Sequence, residues 1–267
     1  MKIVVAGLGK IGITIIENLI SEGHDIVAVD SDYDVITEVN NIYDVMCVYG
    51  ECTDYTTLTE AGTKEADMFV AVTGSDEINM LSCHFAKKLG AAATIARIRN
   101  PQYSENSIGF IKTHLNLDVA INPEQIVAKE LYNIIKFPAA SAIESFSHRN
   151  FELIHYRLKE DSVLIGLNLI EIRKKYAGNY LIGTVQRGEE AHIPNGNFVL
   201  KAGDMVGFIA PPQEIQKLFR QIGIMQKKAR SVMILGAGTT AYYLGKMLEA
   251  SDNPVKIIEK DRERSEK

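Results

Sequence analysis

The apolar residues of the first 122 positions come in short runs that alternate with longer amphipathic segments. The apolar runs predict strands at 2–6, 25–29, 45–49, 67–72, 93–98 and 118–121, and the segments between them predict helices near 11–22, 32–40, 54–61, 76–89 and 103–115. Short apolar runs of this kind are typical of parallel strands that are buried on both faces. Their alternation with helices predicts an α/β fold, a doubly wound parallel sheet covered by helices on both sides.

A further helix is predicted from Pro123 to Lys136, since proline is well placed in a first helical turn. Its apolar stripe consists of Ile126, Val127, Leu131, Ile134 and Ile135. Such a stripe is expected to be buried against another surface.

The pattern changes after Phe137. Residues 141–222 show short strands at 151–158, 181–185 and 205–209, turn sequences at 195–197 and 202–204, and a last helix at 212–222. This arrangement predicts a small α+β domain.

Near Arg230 the first pattern starts again, and it reaches only two strands and one helix before residue 267. We therefore expect three parts, a first unit at 1–136, a second domain at 137–225 and an incomplete second copy of the first unit at 226–267.

The composition excludes several classes of function. The chain is 46% hydrophobic and 24% charged with a net charge of −5, as in ordinary globular proteins, and it has no basic stripe for nucleic acid. No stretch approaches 18 uninterrupted apolar residues, so we expect no membrane span. The cysteines Cys47, Cys52 and Cys83 and the six scattered histidines lack metal-ligand spacing. We expect a cytoplasmic protein without a metal site.

A glycine motif joins the first strand to the first helix. In Gly7-Leu8-Gly9-Lys10-Ile11-Gly12, Gly7 permits a tight turn, Gly9 lets a pyrophosphate approach the backbone, and Gly12 lets the helix pack close to the strand. The free N–H groups at the helix start attract phosphate. Asp30, at the end of the second strand, can accept hydrogen bonds from ribose hydroxyls, and its charge disfavours the 2′-phosphate of NADP. The motif predicts a dinucleotide-binding, Rossmann-like unit.

The same motif occurs again at Gly236-Ala237-Gly238-Thr239-Thr240-Ala241. In each copy the acidic residue, Asp30 or Glu259, follows the last motif residue by 18 positions. Equal spacing in two places indicates an internal duplication.

Other candidate residues follow the third, fourth and fifth strands, in segments 50–53, 71–80 and 96–101. The carboxyl ends of parallel strands are where ligands bind in open α/β sheets. Small and hydroxylated residues there, such as Thr53, Thr73 and Gly74, leave room for a nucleotide, and Lys10 and Arg97 supply positive charge for its phosphates.

An enzyme is the alternative. Tyr132 and Lys136 have the Tyr-x-x-x-Lys spacing of short-chain dehydrogenases, but the preceding strand at 118–121 supplies no serine. No other base, nucleophile or metal set stands out, so we predict no catalytic residue and expect nucleotide occupancy to act as a signal. A NAD-dependent oxidoreductase with an unrecognised substrate domain would consume NADH with carbonyl substrates. A scaffold with an empty site would show no nucleotide-dependent thermal shift.

Several segments together resemble the TrkA family, the RCK-domain peripheral subunits of the Trk potassium-uptake system. They are Gly7 to Gly12, Val29 to Asp32, Ala71 to Met80 and Ala96 to Pro101, followed by Gly166-Leu167, Arg187-Gly188, Pro194 to Gly196 and Ala202 to Asp204. The later segments resemble the family's C-terminal ligand-sensing domain. The resemblance covers essentially the whole chain and implies tandem units, with the chain ending inside a second TrkA-N unit.

The resemblance also implies a function. Such proteins regulate ion conductance, bind NAD(H) or ATP/ADP, and form dimers that build a ring beneath a TrkH/TrkG-like membrane potassium translocator. It implies a homo-oligomer that is peripheral at the inner face of the cell membrane. Carried over by motif, the nucleotide contacts are Gly7, Leu8, Gly9, Lys10, Ile11, Gly12, Asp30, Thr53, Thr73, Gly74 and Arg97.

Overall fold

The computed structural model of the chain describes residues 1–103, 105–138, 140–145, 151–224, 229–251 and 253–265. It contains two compact units. The first comprises Met1–Ala128, Gly236–Tyr243 and Asp261–Lys267, and the second comprises Lys129–Leu235 and Leu244–Lys260. The three-part division at 136 and 225 stays a prediction, and its second boundary lies outside the described residues.

The described part of the first unit is built on a six-stranded parallel sheet with the order β3-β2-β1-β4-β5-β6. The strands are β1 Lys2–Ala6, β2 Asp25–Asp30, β3 Met46–Tyr49, β4 Met68–Ala71, β5 Ala93–Arg97 and β6 Val119–Ile121. The helices are α1 Lys10–Ser21, α2 Tyr33–Ile42, α3 Tyr55–Glu60, α4 Asp76–Leu89 and α5 Glu105–Leu115, with a short 3-10 turn at Thr63–Glu65. A further helix, α6 Pro123–Lys136, begins in this unit, and its residues from Lys129 onward belong to the second unit. The predicted doubly wound fold is confirmed.

The strand order reverses beside β1, which is the topological switch point of such a sheet. Val4, Val5 and Ala6 of this strand are fully buried, because helices cover both faces of the sheet. Two apolar clusters lie on opposite faces, one around Val4 and Phe69 and the other around Val5 and Ile16. The near-continuous apolar runs of the sequence follow from this two-sided burial.

The second unit contains a five-stranded antiparallel sheet with the order β10-β9-β11-β8-β7 among its described residues. Its elements are β7 Ala142–Ser145, β8 Glu152–Arg157, α7 Leu169–Lys175, β9 Leu181–Arg187, β10 Glu190–His192, β11 Met205–Ala210 and α8 Pro212–Gln221. The predicted α+β domain is confirmed. The sequence pattern missed β7, β10 and α7, which are short; α7 begins with a reciprocal capping box between Asn168 and Glu171.

A buried ion pair fastens β9 to the turn before β11. The Asp204 carboxylate is fully buried and accepts hydrogen bonds from Arg187 Nε and Nη2, both at 2.8 Å, and from the Lys201 N–H at 2.8 Å. Burial raises the pKa of the Asp204 carboxyl, but the Arg187 and Lys201 donors outweigh it and hold that pKa below its ordinary value.

The glycine motif near residue 236 again connects a strand to a helix. Two parallel strands, β12 Val232–Leu235 and β13 Val255–Ile258, flank α9 Thr239–Glu249 in sequence. Gly236 has φ +97°, matching φ +95° at Gly7. A strand, a glycine turn, a helix and a second strand therefore follow one another as at the start of the first unit, while a second Rossmann domain stays a prediction. A short helix that the pattern did not predict, α10 Arg262–Ser265, comes after them.

Four of the five residues in the apolar stripe of α6 are exposed in the part of the chain that the structure describes. Ile126, Val127, Leu131 and Ile134 are between 40% and 62% exposed, whereas Ala128 and Asn133 on the same helix are buried. The expected covering surface is therefore absent from the described residues of this chain.

Candidate nucleotide site

A cavity of about 670 Å³ opens at the carboxyl edge of the parallel sheet. Its lining residues are Gly7, Gly9, Lys10, Ile11, Val29, Asp30, Ser31, Gly50, Glu51, Cys52, Val72, Thr73, Gly74, Ser75, Ile78 and Arg97. They lie at or just beyond the carboxyl ends of β1, β2, β3, β4 and β5, so the cavity lies across the switch point. This volume is within the range of small-molecule sites in proteins.

The three glycines of the first motif differ in what surrounds them. A Cβ on Gly7 would lie 2.7 Å from the Thr73 nitrogen, and one on Gly12 would lie 2.0 Å from the Gly7 carbonyl oxygen. A Cβ on Gly9 would meet no described protein atom within 4 Å. Packing therefore explains Gly7 and Gly12, but it does not explain Gly9, whose bare backbone faces the cavity.

The start of α1 is open toward ligand. Gly9 is its N-cap and supplies no side-chain cap, and the first turn has no acidic residue. The first N–H groups of a helix lack partners within the helix, and the helix dipole attracts anions there. Lys10, an exposed residue at the first position of the helix, adds a positive charge. This geometry suits a phosphate group.

Asp30 is fixed by backbone donors. Its Oδ2 accepts from the Leu8 N–H at 2.6 Å, and its Oδ1 accepts from the Asp32 N–H at 2.9 Å. A carboxylate oxygen can accept a second hydrogen bond. Both oxygens can thus still receive a ribose hydroxyl. Leu8 is buried and contributes through this N–H.

The far side of the cavity, beyond the glycine motif, is formed by the ends of β4 and β5. Arg97 forms an ion pair with Glu124 of α6, and both side chains are largely buried. The Arg99 guanidinium donates to the Gly74 carbonyl oxygen. The charge of Arg97 is therefore already balanced by a carboxylate of the same unit.

The structure groups most of the predicted residues. Gly7, Gly9, Lys10, Ile11, Asp30, Thr73, Gly74 and Arg97 line one cavity, whereas Leu8, Gly12 and Thr53 do not. The segment after β3 contributes Glu51 and Cys52 in place of Thr53, and Ser31, Ser75 and Ile78 also line the cavity. Sequence reasoning identified these segments but could not tell which side chains turn inward.

The environment of Cys52 disfavours its thiolate form. This residue is buried, and burial raises the pKa of its thiol above the ordinary value. The reactive form of cysteine is the thiolate, which this environment suppresses.

The Tyr-x-x-x-Lys pair lies outside this cavity. The Tyr132 hydroxyl is 2.6 Å from Ser251 Oγ, and Lys136 Nζ is 3.5 Å from a Glu152 carboxylate oxygen. Neither Tyr132 nor Lys136 lines the cavity. Because both residues of the motif have their contacts outside the cavity, their placement does not support the oxidoreductase alternative.

Two absences concern the part of the chain that the structure describes. No cluster of three or more His, Cys, Asp or Glu residues there is arranged to hold a metal ion. No helix there combines the length and apolar character that crossing a bilayer requires.

Comparison with known proteins identifies the domains. Residues 3–123 match the TrkA-N domain and residues 153–223 match the TrkA-C domain, and the two matches together span more than half of the chain. The whole chain is 34% identical to the Trk system potassium uptake protein TrkA homolog of Archaeoglobus fulgidus. The chain belongs to the TrkA family.

A second relative supports this assignment, and a solved structure shows the same fold. The chain is 32% identical over its full length to the Trk system potassium uptake protein TrkA of Haemophilus influenzae. It spans 59% of the A. fulgidus protein and 58% of the H. influenzae protein. A solved structure of the GsuK channel bound to NAD matches 98% of this chain and 49% of that channel chain, with a TM-score of 0.67 and 18% identity. The last comparison shows a shared fold.

Proposed function

We propose that this TrkA-family chain is a nucleotide-sensing regulatory protein of a potassium-uptake transporter. The observation that carries the proposal is Gly9, whose missing Cβ no packing contact explains and whose backbone faces the cavity beside an open helix N-terminus. The names of the relatives and the NAD bound to the GsuK channel support it.

The proposed ligand is NAD(H) or ATP/ADP. Its adenosine ribose would bind Asp30, and its phosphates would meet the N–H groups at the start of α1 and the Lys10 side chain. The predicted contacts remain Gly7 to Gly12, Asp30, Thr53, Thr73, Gly74 and Arg97. Because Glu124 balances the charge of Arg97, the far side of the cavity offers little net positive charge for the terminal phosphate of ATP.

The proposed partners are a membrane potassium translocator subunit and further copies of this chain. Dimers that build a ring would cover the exposed stripe Ile126, Val127, Leu131 and Ile134. The protein would then act in the cytoplasm, at the inner face of the membrane, without nucleic acid and without catalysis of its own.

Titration calorimetry of Gly9→Asp tests the ligand assignment. The Gly9 backbone has φ −68°, and its Cβ direction is open, so the variant should fold while its carboxylate repels the phosphates. We expect a loss of at least a hundredfold in affinity for NADH and ADP. The control is Gly109→Asp, because Gly109 is exposed on α5 and its Cβ direction is also open. Full affinity in Gly9→Asp would remove the assigned site.

A further inference from the structure

Asn79, which does not line the cavity, connects two residues that do. It lies in α4 and is fully buried. Its Oδ1 accepts from the Thr73 N–H at 2.8 Å and from the Thr73 hydroxyl at 2.7 Å. Its Nδ2 donates to the Arg97 carbonyl oxygen at 2.9 Å and, more weakly, to the Thr73 carbonyl oxygen at 3.5 Å. Both acceptor positions and both donor hydrogens of this amide are thus in use.

These hydrogen bonds lie where the backbone pairing of β4 and β5 has ended. The paired residues of the two strands run from Met68 and Ala93 to Ala71 and Ala96. Thr73 and Arg97 come after the last of these pairs. The Asn79 side chain therefore links the two strand ends at the level where they form the cavity wall.

We propose that Asn79 is a positioning residue. It holds Thr73 and Arg97 at the separation needed to bind the part of the nucleotide that lies beyond its first phosphate. The inference rests on the proposed nucleotide function. The cavity has two sides, and the Asn79 side chain forms hydrogen bonds with residues of only one of them. Asp30, Ser31, Gly50, Glu51 and Cys52 form the near side, and Thr73, Gly74, Ser75, Ile78 and Arg97 form the far side.

The two sides should respond differently to a change at residue 79. AMP can occupy Asp30 and the start of α1 without reaching the far side, whereas NAD spans both. A residue that only stabilises the fold would weaken both ligands equally or neither. A residue that positions the far side would weaken NAD and spare AMP.

The test is Asn79→Asp in the full chain, with NAD and AMP affinities measured by titration calorimetry. Aspartate keeps an acceptor for Thr73 and removes the donor to the Arg97 carbonyl. We expect the affinity for NAD to fall at least tenfold and the affinity for AMP to change less than twofold. Equal losses for both ligands, or no loss for NAD, would overturn the inference.

Thr94→Val provides the matched control. Thr94 is a fully buried polar residue near the amino end of β5, and its hydroxyl bonds to Asp118, away from the cavity. The variant should lower the melting temperature and leave both affinities unchanged. If Asn79→Asp does not fold, Asn79→Ser, which is uncharged and too short to reach Arg97, gives the same comparison. Failure of both to fold would overturn the inference in favour of a purely structural role.

The wild-type protein separates the two proposals. If it binds neither AMP nor NAD, the proposed nucleotide function fails. If it binds both and the ratio of affinities does not change in the Asn79 variants, only the positioning role fails.

Discussion

At the scale of single residues, the same amino acid serves different purposes within one motif. Close backbone contacts require glycine at positions 7 and 12, whereas the space in front of Gly9 is open and leaves its backbone free for a ligand to approach. The sequence motif predicts all three glycines together, because it encodes both the turn and the ligand approach. Only the surroundings of each Cβ position separate the two purposes.

Charge balance at Arg97 leads to a prediction on ligand preference. Glu124→Gln should free the Arg97 charge and raise the affinity for ATP relative to NAD about tenfold, equivalent to ~1.4 kcal/mol. The physical reason is that ATP carries more negative charge than NAD. Competition binding without divalent cations measures the ratio. Asp118→Asn, which breaks the Lys87–Asp118 pair, is the control and should leave the ratio unchanged. An unchanged ratio in Glu124→Gln would show that Arg97 does not meet phosphate.

At the scale of helices and strands, one ion pair links two elements of the antiparallel sheet, and one helix has an exposed apolar stripe. Asp204 joins β9 to the turn before β11 through Arg187 and the Lys201 N–H. The sequence marked 202–204 only as a turn, because the partner of a buried carboxylate lies far along the chain.

Asp204→Asn should destabilise the TrkA-C domain by about 2–3 kcal/mol, less than a fully buried pair, because the Arg187 side chain stays partly in solvent. Denaturant unfolding measures this change. The Lys217–Glu214 pair, in which the lysine is exposed, supplies the control. Glu214→Gln should cost less than about 1 kcal/mol, because glutamine keeps an acceptor for the Asn179 N–H. If Asp204→Asn leaves the free energy of unfolding unchanged, the fold does not depend on this charge.

The same carboxylate predicts a pH dependence. The pKa of Asp204 is depressed in the folded chain, so its contribution is present above the unfolded value of about 3.9 and is lost as the pH falls through the folded value. Wild-type TrkA-C should therefore lose stability below about pH 4, as measured by thermal unfolding. Asp204→Asn should lack this component, and an identical acid profile in both would contradict the assignment.

The stripe of α6 predicts assembly. Ile134→Asp should reduce the mass of the particle measured by light scattering, since a charge in a buried apolar contact is unfavourable. Lys129→Asp places the same side chain at an exposed position of the same helix outside the stripe and should leave the mass unchanged. Equal masses for Ile134→Asp and the wild type would show that copies of the chain do not use this stripe.

At the scale of the whole molecule, the chain holds two units with separate apolar cores. A ligand that binds only the native state stabilises the unit that it binds, by about 2.7 kcal/mol at a hundred times the dissociation constant. If the units unfold independently, the ligand should stabilise only the unit that binds it.

Differential scanning calorimetry tests this expectation. We expect two transitions, and saturating NADH should raise the one that belongs to the TrkA-N domain. Gly9→Asp should abolish that shift and leave the other transition in place. A shift of both transitions by NADH would indicate that the units unfold as one.

The sequence by itself determined the alternating fold, its glycine turn and the acid at the end of β2. These features depend on local pattern, because apolar runs, turn residues and the spacing from turn to acid are set along the chain. It also located the antiparallel domain and the repeat of the motif near residue 236.

Tertiary structure alone decided which side chains meet. Asn79 joining Thr73 to Arg97, Glu124 balancing Arg97, and Cys52 rather than Thr53 lining the cavity all depend on residues that the sheet order brings together. Strand order and the direction of a loop side chain are properties of packing between distant segments. No local pattern encodes them, so they became visible only once the chain was folded.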